Sequence, residues 1–88
     1  MHKVFLHTHE KGTANWVNVI KEFGRIPLED EYLATSVDSE WYQVELVIHT
    51  PFSEEMEAEV YAVKVDHAKV KQKKLSTSPS GVFFPGAP

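Results

Sequence analysis

The 88 residues, 42% hydrophobic and 25% charged, suffice for one globular domain, because so short a chain cannot divide its apolar surface between two cores. Acids outnumber bases thirteen to nine, a formal charge of −4, which argues against a general nucleic-acid binder whose surface must neutralise phosphates. Cysteine is absent, which excludes disulfides, thiolate zinc sites and a thiol nucleophile and fits a cytoplasmic protein.

The only continuous apolar run in the first twelve residues is Val4-Phe5-Leu6, far short of a signal-peptide core, and no stretch approaches membrane-spanning length. Residues 2–9 are rich in strand formers and predict a first strand, ended by the turn Glu10-Lys11-Gly12-Thr13. If Val4 and Leu6 face the core, Phe5, His7 and His9 share the opposite face.

Residues 14–23 admit two readings. Trp16, Val19, Ile20 and Phe23 fall at helical spacing, with Thr13 as N-cap and Gly24 as the residue just past the helix end. The β-branched Val17, Val19 and Ile20, placed after a Gly12 turn, instead suit an antiparallel strand paired with the first, which is the preferred reading. Gly24-Arg25-Ile26-Pro27 then breaks the pattern, and residues 31–36 predict a short strand closed by the turn at 37–40.

Residues 41–50 alternate with period two, placing Tyr42, Val44, Leu46 and Ile48 on one apolar face and Gln43, Glu45 and His49 opposite, with Trp41 and Val47. Residues 57–66 form the partner strand, apolar on both faces and therefore central. A loop containing Pro51 joins the two. Residues 67–75 suit a short helix with Val70 and Leu75 as its apolar anchors, and residues 76–88 form a tail expected to dock through Val82, Phe83 and Phe84 on its own domain or on a neighbouring molecule.

The expected architecture is mainly β: a small antiparallel sheet curled into a roll or partly open barrel, with at most one short helix, spanning residues 1–75. An α+β sheet with residues 14–23 helical is the alternative. The exposed strand edges of so small a sheet predict a homodimer or higher assembly.

His7 and His9, two apart on one strand, form a metal candidate that His49 would complete, with Glu45 or Glu10 as an oxygen ligand or supporting partner. Glu57 and Glu59 share one strand face as a carboxylate pair, beside Glu54 and Glu55; four acids at a hairpin also read as a solvated edge that discourages strand pairing. No serine lies in a nucleophile elbow, the four glycines form no phosphate-binding loop, and no cofactor motif is present. Trp41, on the less apolar face of its strand, is a candidate contact residue for a partner.

The spacing Ile26-Pro27-x-x-x-Glu31-Tyr32-Leu33, followed by Trp41-Tyr42-x-Val44-x-x-Val47-x-His49, resembles a pattern in small uncharacterised bacterial proteins, including those carried on mobile integron gene cassettes. The resemblance implies a compact, self-associating module without assigned chemistry and transfers no site residue. Three functional readings result. The first is a non-catalytic binding or interaction module that self-associates. The second is a metal-dependent or acid–base enzyme using His7, His9 and His49. The third is a structural or regulatory subunit that meets an acidic partner through Lys69–Lys74.

Overall fold

Alternation along the first strand organises the molecule. In the computed structural model, which describes residues 1–75, β1 (His2–His9) buries Val4 and Leu6 completely on one side and directs Phe5, His7 and His9 to the other. The chain leaves β1 through a turn in which Thr13 donates its backbone N–H and its hydroxyl to the Glu10 carbonyl, at 3.0 and 2.9 Å. Gly12 takes φ +82° there, a left-handed conformation that costs glycine little.

The return segment is β2 (Val17–Phe23), antiparallel to β1 with Leu6 opposite Val19 and His7 opposite Asn18. The helical alternative for residues 14–23 is thereby corrected. Its supposed stripe is split, because Val19 and Phe23 share the Leu6 side of the sheet whereas Ile20 lies opposite Phe5 on the other side. β-Branched side chains favour the extended form, and the hairpin turn delivers them directly to β1.

β3 (Tyr32–Ala34), β4 (Trp41–His49) and β5 (Ala58–Val65) complete a five-stranded sheet of order β2-β1-β5-β4-β3, curled into a half-barrel. The sheet is mixed, since β1 and β5 run parallel while the other three junctions are antiparallel. β5 is central, as its two apolar faces predict: Ala58, Val60 and Ala62 are fully buried.

The inner face carries a core of Val4, Leu6, Val44 and Val60, against which Phe23, Ile26, Leu33 and Val47 pack. Ile26 and the buried Pro27 belong to the connection from β2 to β3, which joins opposite edges of the sheet across this face. Glu31 shapes that connection. Its carboxylate accepts a bidentate pair from Arg25 at 2.9 and 2.8 Å and the Leu28 N–H at 2.7 Å, and the Arg25 hydrogen bonds hold it below the usual carboxylate range. Asp30 adopts φ +73° beside it, a conformation aspartate tolerates better than most residues, and donates its N–H to the Val44 carbonyl at 2.9 Å.

β4 departs from strict alternation. Val44 pairs with Ala62, but the next pairs are Leu46 with Tyr61 and Val47 with Val60, so Glu45 is an extra residue in a β-bulge. The expected apolar face therefore divides: Val44 is 1% exposed, whereas Leu46 and Ile48 turn outward and are 44% and 42% exposed. Val47 takes the inner position instead.

α1 (His67–Lys74) begins at Asp66, whose carboxylate accepts the N–H groups of Ala68 and Lys69. Its last turn holds Lys71, Lys73 and Lys74, where cations favour the helix dipole. Val70 is half-buried, whereas Leu75, the other expected anchor, is exposed. The helix instead leans on Trp41, with the His67 ring 5.4 Å from the indole and the Lys71 ammonium 5.3 Å from its centre. The expected docking of Val82, Phe83 and Phe84 lies outside the described residues.

The bulge has an energetic signature. Val44→Ala is expected to destabilise the fold by about 2 kcal/mol, from two lost methyl groups and the space they leave, and Leu46→Ala by less than about 1 kcal/mol. Urea denaturation measures both; a larger cost at Leu46 would contradict the bulged register.

Candidate interaction surface

The outer face of the sheet carries a row of rings. Phe5 and His7 lie 4.3 Å apart, His7 stacks on Tyr61 at 4.4 Å, Tyr61 meets Trp16 edge-on at 5.5 Å, and Trp16 stacks on His9 at 4.1 Å. The two-residue spacing on β1 and the parallel pairing of His7 with Tyr61 put these side chains on one side.

Both histidines are tied at both ring nitrogens. His7 Nε2 donates to Glu59 Oε1 at 3.0 Å, while Nδ1 lies 2.6 Å from the Asn18 side-chain amide. Glu59 also accepts the Tyr61 hydroxyl at 3.2 Å, and burial, followed by that carboxylate, pushes the Tyr61 hydroxyl above its ordinary pKa. His9 donates from Nδ1 to the Thr13 carbonyl at 3.1 Å and from Nε2 to Glu45 Oε1 at 2.9 Å. Glu45, the bulged residue, is thus the clasp between β4 and the end of β1.

The expected three-histidine centre does not assemble. His49 pairs with Ala58 and so belongs to the inner side of the sheet, whereas His7 and His9 lie on the outer side. The cause is the bulge at Glu45, which reverses the facing of every later residue of β4. Among the described residues no group of three or more histidine, aspartate or glutamate side chains is placed to hold a metal ion.

The carboxylate pair also separates by partner. Glu57 receives the His2 ring at 2.8 Å, a bond that lowers its pKa, whereas Glu59 serves His7 and Tyr61. Lys64 stands between Glu10 and Glu40, at 3.6 and 3.8 Å, beside a cleft of about 320 Å³ that includes Thr8, Val17 and Tyr42. Trp41 is half-buried under Lys71.

The least covered apolar strand is β2. It forms one edge of the sheet, and Val17, Val19 and Ile20 are 64%, 38% and 44% exposed on its two faces. The roles of Asn18, Glu59 and Tyr61 escaped sequence reasoning. Their only signal was register: a hairpin tight at Gly12 places Asn18 across from His7, but the β1–β5 pairing that brings Glu59 and Tyr61 spans half the chain. No described helix is long and apolar enough to cross a membrane. Comparison of the chain with family models, with curated proteins and with solved structures finds no match.

The Glu45 hydrogen bond raises the His9 pKa above 6.5, an effect that burial opposes and the Thr13 carbonyl reinforces. Since the folded value exceeds the unfolded one, the stabilisation is complete below about pH 6.5 and disappears as pH rises through the folded pKa. Titration of the His9 ring protons by NMR is expected to show a lower midpoint in Glu45→Gln. The stability gap between that variant and the parent should be present near pH 6 and vanish in alkaline solution.

Proposed function

We propose that this protein is a non-catalytic interaction module whose partner is a second copy of itself, joined through β2, an edge strand of the sheet formed by the described residues. The carrying observation is the exposure of Val17, Val19 and Ile20 on a seven-residue edge strand. Such a strand presents unpaired peptide groups and apolar side chains together, and isolated proteins ordinarily blunt it with charge, proline or a bulge. β2 has no proline, and its only charges are Lys21 and Glu22 near its end.

The opposite edge is different. β3 is three residues long and is entered through Asp30 and Glu31, so it offers little to a pairing strand. The outer-face rings support a binding role over a catalytic one, because His7 and His9 already use all four ring nitrogens to hold the sheet together. A general base needs a nitrogen within reach of a substrate proton.

Sedimentation velocity of the full chain at about 50 μM is expected to show a species of twice the 10.0 kDa chain mass, with dissociation on dilution. Ile20→Lys, which sets a charge on the edge without touching the core, is expected to shift it to monomer while leaving the circular dichroism of the fold intact. A parent chain that stays monomeric at this concentration would overturn the proposal.

A further inference from the structure

We infer that two copies join β2 to β2 antiparallel about a two-fold axis passing through Ile20, giving one continuous ten-stranded sheet. This rests on the self-association proposed above and specifies its surface and register.

Glu57 donates its N–H to the Lys3 carbonyl at 2.8 Å, so Lys3 points toward the β5 side of β1. Backbone groups alternate along a strand, so the odd residues of β1 serve β5 and the even ones serve β2. Val44 agrees from the other side of the sheet: its N–H and carbonyl both bond to the Asp30–Glu31 segment, which leaves Gln43 to bond Val63 and turns the even residues of β5 toward β1. Given the pairing of Val4 with Lys21, Leu6 with Val19 and Thr8 with Val17, the odd residues of β2 are the ones bonded to β1. Asn18, Ile20 and Glu22 therefore direct their N–H and carbonyl groups outward from the edge.

Register follows from overlap and charge. A two-fold axis normal to the sheet keeps inner side with inner side, so it must pass through a residue rather than between residues. An axis at Lys21 or Glu22 sets that charge against itself. One at Val19 or Asn18 leaves part of the strand unpaired, and the Asn18 axis sets Ile20 against Trp16 beyond the strand. Ile20 is the midpoint of Val17–Phe23, so an axis there overlaps the whole strand and pairs all three outward residues.

The side chains are self-complementary in this register. Ile20 meets Ile20 of the second copy on the outer face, and Val17 meets Phe23 of the second copy on the inner face. Val19 lies along the aliphatic stem of the other Lys21. Asn18, whose side-chain oxygen is the atom placed toward His7, has its amide NH2 group to offer the Glu22 carboxylate of the second copy.

The cysteine-free chain makes the test direct. Only Ile20 meets its own counterpart, at a Cα separation of about 5.5 Å, within disulfide range. Under mild oxidation Ile20→Cys is expected to form covalent dimer at least tenfold faster than Glu22→Cys, whose counterpart is about four residues away along the strand. Asn18→Cys mixed with Glu22→Cys is expected to cross-link as a heterodimer, and the first comparison stands alone if Asn18→Cys does not fold. A parent chain that dimerises while Ile20→Cys cross-links no faster than Glu22→Cys would overturn this register and leave self-association standing. A monomeric parent would overturn both.

Discussion

The pairing of β1 between β2 and β5 is the constraint from which the rest of the molecule follows. It joins two hairpins that are remote in sequence and buries Val4 and Leu6 between them. It also sets the facing of every neighbouring side chain. With Val4 and Leu6 inward, His7 and His9 must be outward, Asn18 must lie beside His7, and Glu59 and Tyr61 must arrive on the same side from β5. A slip of one residue in β1 would exchange the core for the polar row.

Local irregularity then decides which polar groups meet. The bulge at Glu45 inserts one residue into β4, which moves Val47 inward and Leu46 and Ile48 outward. The same insertion separates His49 from His7 and His9 and frees the Glu45 carboxylate to clasp His9. A strand with unbroken alternation would have carried His49 to the outer side. The chemistry of that side is thus governed by one extra backbone unit rather than by the supply of histidines.

The two edges of the sheet are unequal for a physical reason. The β2–β3 connection spends its residues covering the inner face with Ile26 and Pro27 and reaches the far edge with only three residues left for pairing. β2 is the opposite edge of the sheet, and only its last residue, Phe23, packs against the core with Ile26. Among the described residues, its Val17, Val19 and Ile20 stay exposed on the two faces.

Much of this was readable from the chain. Period-two runs at residues 2–9, 41–50 and 57–66, the turn at Gly12, and β-branched residues at 17, 19 and 20 determined a mainly β domain with a central fifth strand, because alternation and turn chemistry are local properties. Tertiary structure alone decided the parallel contact of β1 with β5, the bulge at Glu45 and the partners of His7 and His9. These depend on which distant strand lies alongside and in what register, and side-chain alternation within one strand carries no record of its neighbour's offset.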